Sequence, residues 1–343
     1  MKFQSLKLTN YTVFESCFLK FGTGINVFLG ENGAGKTHVL KVLYSAAQAA
    51  RPDISFSRKL VGTMQPDGLN LSRLLTRKKG VNSADLQVVA AGASDKEKRL
   101  MMKITRYTKK WDAEVVREQT WEKEFANKLS VFIPVREILS NCYNLPAAVS
   151  AGNIKFDDTY IDIINAAKID ISLGRDEQER GKLLRRLETI TRGKVSYDST
   201  SDEFYLRVGQ SKQEFNLIAE GIRKLALLWQ LVKNGTLRKD SVLFWDEPEA
   251  NLNPACIPVV ADFLIALQQS GVQIFIATHD YVLSKYLELR RKSRQDVLFH
   301  SLFYSDKSTK QNVQCETSAD FGKLINNSIM KSFEELLDEI YED

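Results

Sequence analysis

Gly35, Lys36 and Thr37 have the types and the spacing that bind a nucleotide phosphate. They follow Gly30 at the G-x-x-x-x-G-K-T spacing, between an apolar run typical of a strand and an apolar-periodic segment typical of a helix. Strand, glycine loop and helix in this order form a phosphate-binding loop, in which backbone N–H groups and the helix dipole face the anion. The predicted ATP-binding residues are Gly30, Glu31, Asn32, Gly33, Ala34, Gly35, Lys36, Thr37 and His38.

Two acidic residues and a histidine follow apolar runs further along the chain. Asp246 and Glu247 come directly after the run at 242–245, and His279 comes two positions after the run at 272–277. Open α/β sheets bind their ligands at the carboxyl ends of the strands. We therefore expect these side chains to meet the phosphate loop at one edge of a sheet.

Together these residues supply what ATP hydrolysis requires, because phosphoryl transfer depends mainly on positioning and charge neutralisation. Lys36 would reach the β- and γ-phosphates, and Thr37 would ligate Mg²⁺. Asp246 would hold the same ion. Glu247 would polarise the attacking water, and His279 would sense the γ-phosphate. The alternatives are a solvated turn for the acidic pair and a structural histidine for His279.

The composition is that of a globular protein with a sizeable core: 43% of the 343 residues are hydrophobic and 27% are charged. The net charge of +5 is compatible with nucleic acid without requiring it. The four cysteines are scattered and form no C-x-x-C, which fits a reducing compartment. No signal-like start and no apolar stretch near the about 20 residues of a membrane span is present, so we expect a cytoplasmic protein with no membrane partner.

The apolar patterns predict an α/β fold with a mixed or parallel core sheet. We expect one domain over 1–343, with an antiparallel β meander at 85–121 as a subdomain and a helical insertion at 136–193. Two short strands precede the phosphate loop, and residues 53–80 between its helix and the meander are predicted to be irregular. Tyr11 and Phe14 lie close enough in sequence to the loop either to stack on adenine or to pack in the core.

Three segments in this order resemble the motifs of ABC-type ATPases. Residues 30–37 resemble Walker A, 245–254 resemble Walker B with the D-loop, and 277–280 resemble the H-loop. The similarity is to the soluble branch, which comprises RecF, SMC-like repair ATPases and the AAA-annotated ATPases of bacterial anti-phage systems such as Septu and PARIS. It implies an ABC-type ATPase head that uses ATP and Mg²⁺ and dimerises on ATP.

The resemblance also assigns residues outside the phosphate loop. Gln65 is the candidate Q-loop glutamine that would contact the metal, and Asn251 and Asn253 belong to the D-loop. The family's signature Leu-Ser-Gly-Gly-Gln is replaced here by Ile218 followed by Ala219, Glu220 and Gly221. The serine that would reach the γ-phosphate across the dimer is thus alanine, although Gly221 and the helix start can still offer backbone N–H groups to phosphate.

Three functions fit these motifs. The favoured one is an ATP switch that controls a separate effector, a nuclease or toxin, in anti-phage defence, since no nuclease domain is evident after residue 285. The alternative is a RecF-like repair ATPase that binds double-stranded DNA directly. A transporter's nucleotide-binding subunit is disfavoured by the meander and the helical insertion. The expected partners are a homodimer or higher homo-oligomer, the effector and, as a further candidate, duplex DNA.

Two surface features bear on these partners. The last helix carries one apolar stripe and would either pack on the protein's own sheet or dock a second subunit. The stripe consists of Phe333, Leu336, Leu337, Ile340 and Tyr341. Three basic clusters would track a phosphate backbone or remain as solvated surface. They are Arg73, Arg77, Lys78 and Lys79; Lys103, Arg106, Lys109 and Lys110; and Arg290, Arg291, Lys292 and Arg294.

Overall fold

The computed structural model describes residues 1–92, 96–171, 178–306 and 311–341, so parts of the predicted meander (93–95) and helical insertion (172–177) lie outside the described residues, as do 307–310 and 342–343. The strands are β1 (Lys2–Tyr11), β2 (Phe14–Lys20), β3 (Ile25–Leu29), β4 (Ser83–Ala91), β5 (Glu97–Thr105), β6 (Glu114–Val116), β7 (Ser130–Ile133), β8 (Lys194–Asp198), β9 (Glu203–Val208), β10 (Ser211–Glu214), β11 (Val242–Asp246), β12 (Gln273–Ala277), β13 (Val297–Asp306) and β14 (Gln311–Ser318). The helices are α1 (Lys36–Gln48), α2 (Phe56–Met64), α3 (Glu118–Phe125), α4 (Leu145–Ser150), α5 (Asp158–Lys168), α6 (Gln178–Thr191), α7 (Glu220–Lys233), α8 (Ile257–Gln269), α9 (Tyr281–Arg290) and α10 (Ser328–Tyr341).

The central sheet has the strand order β14-β13-β3-β12-β11-β7, in which all neighbours are parallel except β14. Strands β3, β11 and β12 are buried along their whole length. Continuous apolar runs are typical of parallel strands that are covered on both faces. The predicted α/β class with a mixed core sheet is therefore confirmed. Strand β13 lies inside the sheet because β14 pairs with its outer side.

Phenylalanines on neighbouring parallel strands stack into a ladder on one face of the central sheet. Phe132 of β7 stacks on Phe244 of β11, and Phe244 stacks on Phe275 of β12, with interplanar angles of 17° and 14°. Phe275 in turn stacks on Phe28 of β3 at 10°. These rings share one core with α1 and the antiparallel sheet, whereas the opposite sheet face packs on the helices of the second core.

The antiparallel sheet has the order β2-β1-β4-β5-β6 and encloses α1 against the central sheet. Within the segment 85–121 that was predicted as a meander, the last strand, β6, is only three residues long, and α3 follows it. Trp121 and Phe125, four positions apart, are both fully buried on one helical face of α3. Helix α2, in the segment that was expected to be irregular, is capped by Ser55, whose side chain accepts from the Arg58 N–H.

The last helix, α10, packs on the protein only along its first turns. Ile329 and Met330 contact the helical core, and the Phe333 ring stacks on Tyr281 with centroids 3.9 Å apart. Beyond that point Leu336 and Tyr341 are 50% and 82% exposed. Packing on the protein's own core, one of the two roles expected for this helix, therefore holds for its amino-terminal part.

Gln273 at the start of β12 joins the two sheets. Its side chain is fully buried and accepts from the Phe3 N–H at 2.8 Å, while its amide donates to the carbonyls of Phe3 and Gly22 at 2.9 and 2.8 Å. Buried backbone groups need such partners, since leaving them unpaired is costly. One amide thus fixes β1 of the antiparallel sheet to β12 of the central sheet.

We predict that Gln273→Ala lowers the free energy of unfolding by about 3–5 kcal/mol, because each buried polar group left unpaired costs about 1–3 kcal/mol. Urea denaturation measures this change, provided that the m-value stays constant. Gln213→Ala on β10 is the matched control, since Gln213 is exposed and its loss should change stability by no more than about 0.5 kcal/mol. Equal losses in the two variants would contradict the structural role of Gln273.

Candidate functional site

The phosphate loop connects β3 to α1 with the backbone that its glycines predict. Gly33 and Gly35 have φ angles of 84° and 88°, in the left-handed region that favours glycine. Gly35 stands at the N-cap of α1, and a Cβ there would lie 2.6 Å from the ring of Phe14. Both the conformation and the space at this position therefore require glycine.

Lys36 points its amine into this loop. Nζ donates to the carbonyls of Gly30 and Glu31 at 2.7 and 3.1 Å, and only 7% of the residue is exposed. Burial lowers the pKa of Lys36, and the nearby carboxylates of Glu247 and Asp246 oppose that shift. The ammonium thus lies against the carbonyls of the loop that would surround phosphates.

Thr37 and Asp246 meet beneath the loop. The Thr37 hydroxyl donates to Asp246 Oδ2 at 2.9 Å, and Asp246 is 5% exposed. Burial raises the pKa of Asp246 to about 6, while the hydrogen bond from Thr37 acts in the opposite direction. A hydroxyl and a carboxylate oxygen are the hard ligands that Mg²⁺ prefers, together with phosphate oxygens. The two residues therefore fit the magnesium ion that the sequence implies.

Glu247 and His279 lie side by side at the same sheet edge. Glu247 has a φ of 47°, and its N–H donates to the carbonyl of Ala277 at 2.8 Å. This bond continues the β11–β12 ladder and aims the side chain toward His279, whose Nδ1 lies 3.4 Å from Glu247 Oε1. Left-handed backbone at a non-glycine residue is strained and is concentrated at functional sites. The structure thus brings together the five residues expected to carry hydrolysis.

Sequence reasoning missed a third carboxylate, Glu249. Its side chain is 8% exposed, and Oε1 accepts from the Thr278 hydroxyl at 2.6 Å and from the His279 N–H at 3.4 Å. The other oxygen is buried with no hydrogen-bond partner among the described residues, and burial raises the pKa of this carboxyl. Glu249 therefore ties the end of β12, with His279, to the segment after β11. The only signal in the sequence was the second glutamate of Asp-Glu-Pro-Glu.

The candidate signature residues lie at the start of α7, against the D-loop of the same chain. Ala219 is the exposed N-cap, Glu220 opens the first turn, and a Cβ on Gly221 would lie 3.0 Å from the carbonyl oxygen of Asn251. No hydrogen bond in the described part of the chain joins these three residues to the phosphate loop. Asn253, in the D-loop, caps the next turn by accepting from the Ala255 N–H at 2.9 Å.

The remaining candidates border the site. Gln65 ends α2, and its amide donates to the Phe156 carbonyl at 2.6 Å, so its contact with the metal stays a prediction. His38 Nδ1 lies 3.1 Å from the Thr12 hydroxyl, and burial lowers the pKa of this histidine to about 4. The rings of Tyr11 and Phe14 are fully buried, so stacking on adenine is wrong and core packing is right.

Two cavities flank the loop. One, of about 600 Å³, lies between residues 30–32, His279 and α10. The other, of about 490 Å³, lies beside His38 and is lined mainly by the β1–β2 turn and by residues 73–78. The phosphate loop therefore has open space on two sides. One space lies toward α10 and the other toward the antiparallel sheet.

A protein-family profile described as "AAA domain, putative AbiEii toxin, Type IV TA system" matches residues 109–285, more than half of the chain. The chain belongs to this AAA-domain family. It is also similar to proteins named "DNA replication and repair protein RecF". The one from Macrococcus caseolyticus is 31% identical over 108 residues, 31% of this chain and 29% of the relative. The one from Limosilactobacillus fermentum is 31% identical over 103 residues, 30% of this chain and 27% of the relative. The matches thus span less than a third of these relatives.

Among solved structures, SMC heads share the fold of this AAA-domain protein. The SMC head domain from Thermotoga maritima has a TM-score of 0.54 at 13% identity and covers 93% of this chain and 99% of its own. An Smc head bound to the C-terminal winged-helix domain of ScpA has a TM-score of 0.61 at 11% identity, with 93% and 98% covered. The predicted ABC-type, RecF- and SMC-like ATPase head is confirmed as the fold. Within the described residues, no helix has the length and apolarity to cross a bilayer.

We predict that Glu249 and Thr278 act as one unit that positions His279. Glu249→Ala and Thr278→Val should each lower the kcat for ATP hydrolysis about 10- to 100-fold, since small displacements of catalytic groups have effects of this size. The double variant should fall no further than either single one, which a double-mutant cycle on kcat measures.

Glu249→Gln is the matched control for that cycle, because its amide oxygen still accepts from Thr278 and from the His279 N–H. It should retain most of the activity. Losses that add up in the double variant, or a glutamine variant as slow as the alanine one, would show that Glu249 does not act through Thr278.

Proposed function

We propose that this protein binds and hydrolyses ATP with Mg²⁺ and acts as a switch that dimerises on ATP. The observation that carries this proposal is the 2.9 Å hydrogen bond from Thr37 to Asp246. It joins the first turn after the phosphate loop to the end of β11, so that two oxygen ligands converge where Glu247 follows directly in the chain.

The roles of the residues follow from their positions. The loop N–H groups and Lys36 would hold the β- and γ-phosphates of ATP. Bound Mg²⁺, held by Thr37 and Asp246, supplies charge neutralisation between the phosphates. Glu247 would orient a water whose oxygen attacks the γ-phosphorus, giving ADP and phosphate. His279, 3.4 Å from the Glu247 carboxylate, would contact the same phosphate.

The cavity beside His38 is the proposed site of the nucleobase. Thr12 and Val13 of the β1–β2 turn line this cavity, together with Leu75 and Met64. With Tyr11 and Phe14 in the core, the base would lie against aliphatic and thioether groups. His38, whose burial lowers its pKa to about 4, would face it as a neutral ring.

We propose further that the ATP state controls a separate effector, a nuclease or toxin, in anti-phage defence. The matched family is described as a putative toxin of a type IV TA system, which supports a role in a toxin system. The described residues after His279 form α9, the strands β13 and β14 of the central sheet, and α10. These elements belong to the ATPase head, and we propose that the effector is a second protein.

The test is Glu247→Gln, which keeps the shape of the side chain and removes the carboxylate. We expect kcat to fall at least about 100-fold, as for loss of a general base, with ATP still bound and the protein trapped as a dimer. ATP turnover and light scattering after size exclusion measure the two effects. Lys36→Ala is the control, and it should weaken ATP binding and form no dimer. Parental turnover in the glutamine variant would assign hydrolysis to another residue.

A second candidate function, direct binding of duplex DNA, is favoured by one surface. The segment at 70–79 contacts the loop at 106–111, since the Leu71 N–H donates to the Lys110 carbonyl at 2.9 Å. This contact joins the basic cluster at 73–79 to the one at 103–110. Tyr107 and Trp111, in the same surface, are 72% and 37% exposed. Arg73 and Lys78 of the first cluster pair with Asp67 and Glu15. Arginines of the third cluster pair with Asp262 and Asp320. Relatives named for DNA replication and repair support the same role.

We predict that Lys109→Glu weakens duplex binding about 3- to 10-fold and reduces the salt slope by about 1, as expected for loss of one phosphate contact. Fluorescence anisotropy with ATP over a range of salt concentrations measures this. Lys292→Glu, an equal charge change in the third cluster, should have a smaller effect. No duplex binding by the parent at low salt would exclude this candidate, and equal effects of the two variants would locate binding elsewhere.

A further inference from the structure

The two large sheets meet along a seam between their edge strands. Strand β2 is the outer strand of the antiparallel sheet and β14 is the outer strand of the central sheet, and the two strands lie against each other. At the start of the seam the Val313 N–H donates to the Val13 carbonyl at 3.0 Å. In the described part of the chain no ladder of backbone hydrogen bonds pairs β2 with β14. The rest of the seam therefore depends on side chains.

Two cysteines face each other across this seam. Cys17 of β2 is 2% exposed and belongs to the core that the antiparallel sheet encloses, and Cys315 of β14 is partly buried against the same core. Cys315 Sγ lies 3.3 Å from the carbonyl oxygen of Phe18, the residue next to Cys17. The two thiols hydrogen-bond to each other. Both sulfurs therefore share one small space between the strands.

The environment of the pair makes its two sulfurs unequal. The hydrogen bond from Cys17 lowers the pKa of Cys315 to about 7, and the same bond together with burial raises the pKa of Cys17. The thiolate is the nucleophilic form of cysteine. Cys315 is thus both the more accessible and the more reactive sulfur, and Cys17 stands beside it as a second thiol.

The other two cysteines lie in different surroundings. Cys142 Sγ donates to the Asp202 carbonyl at 3.3 Å, and burial raises the pKa of Cys142 to about 11. Cys256 is partly buried in the turn before α8. These two residues supply internal controls for a reaction that requires a pair.

We propose that Cys17 and Cys315 form a redox-active dithiol that hydrogen peroxide closes to a disulfide across the seam. The Cys315 thiolate attacks one peroxide oxygen, the O–O bond breaks, and hydroxide leaves, which gives the sulfenic acid of Cys315. Cys17 Sγ then attacks Cys315 Sγ. The S–S bond forms, the S–O bond breaks, and the Cys17 proton leaves with the hydroxyl group as water. The two sulfurs lose two electrons, which the peroxide gains, and a thiol reductant reverses the change.

The seam leads to the cavity beside His38, so a consequence for ATP rests on the proposed function. Val13 and Asn312, near the start of the two strands, both line that cavity. A disulfide between the strands would oppose any separation of these two walls when a base enters. We expect oxidation to raise the KM for ATP about 3-fold or more with kcat unchanged, as for a change in binding that leaves the chemical step intact.

Oxidation of the full chain tests the dithiol. After treatment with hydrogen peroxide, the remaining thiols are blocked with iodoacetamide and the mass of the intact protein is measured. The parent should take up two fewer alkyl groups than the reduced protein and remain a single chain on a non-reducing gel. Its melting temperature should rise by about 5 °C or more, because a link between residues far apart in the chain restricts the unfolded state. Dithiothreitol should reverse both changes.

Cysteine variants assign the link to this pair. Cys315→Ala should form no disulfide. Cys17→Ala should stop at the sulfenic acid of Cys315, which dimedone labels, because the second thiol is missing. Cys256→Ala is the matched control, since Cys256 is partly buried as well, and it should form the disulfide as the parent does. If Cys17→Ala fails to fold, Cys315→Ala on the more exposed side of the pair decides alone.

The outcomes separate this inference from the proposed function. If peroxide leaves four free thiols, or if the link joins two chains or involves Cys142 or Cys256, the dithiol is wrong. If the disulfide forms and the KM for ATP stays the same, the effect on the nucleobase cavity is wrong. If neither the reduced nor the oxidised chain hydrolyses ATP, the proposed function fails, whereas the mass and the melting temperature still decide whether the dithiol exists.

Discussion

The common register of three parallel strands is the constraint on which the site depends. Ala277 of β12 lies opposite both Asp246 of β11 and Phe28 of β3. Ladder bonds continue past the strand ends, since the Glu247 N–H donates to the Ala277 carbonyl and the Thr278 N–H donates to the Phe28 carbonyl. Because parallel strands share a direction, the residues that follow them emerge at one edge. A slip of one residue in any strand would separate them.

That edge is held by the packing beneath it. The stacked rings of Phe132, Phe244, Phe275 and Phe28 fix the spacing of the four strands on one face. On β13, His300 extends the ladder as a neutral ring, since burial lowers its pKa to about 3. Aromatic stacking across strands is rigid because interiors are close-packed. The backbone that carries the phosphate loop, Asp246 and Thr278 therefore has little freedom to shift.

Charges at this edge are buried beside one another. Burial lowers the pKa of Lys36 and raises those of Asp246 and Glu249, and each shift is opposed by a neighbouring hydrogen bond or opposite charge. In a medium of low dielectric such groups interact strongly with a charged substrate. Preorganised charges need no rearrangement when charge develops in a reaction. The strained φ of Glu247 belongs to the same rigid arrangement.

The sequence was informative where local chemistry decides the structure. A glycine loop before Lys-Thr and apolar runs before Asp-Glu and Thr-His are each compatible with few local structures. The strands, the loop and the meeting of the five residues at one sheet edge could therefore be predicted, and the roles of these residues stay predictions. The sequence did not predict the features that depend on tertiary contacts. Helix α2 is only nine residues long, and α3 depends on burying Trp121 and Phe125. Glu249 needed the fold, because its partner Thr278 lies 29 positions away.

Tyr11 and Phe14 show in the same way that the sequence alone does not determine where a side chain points. Their spacing from Lys36 allowed a stacking role, and only the pairing of β1 with both β2 and β4 decides that the rings point inward. Side chains alternate across a strand, so one register fixes every direction at once. Aromatic type alone carries no such information, because large rings dominate cores and binding sites alike.

The start of α7 and the D-loop are joined by direct contacts. A Cβ on Gly221 would lie 3.0 Å from the Asn251 carbonyl oxygen, and the buried amine of Lys224 donates to the Ala250 carbonyl at 2.6 Å. Ala250 directly follows Glu249, which holds Thr278 and the backbone of His279. In the proposed dimer, a phosphate bound at the α7 start of one copy would therefore also affect the position of Glu249 in that copy's own site. Lys224, Ala250 and Glu249 thus form a short path of direct contacts from α7 to His279, along which such coupling would run.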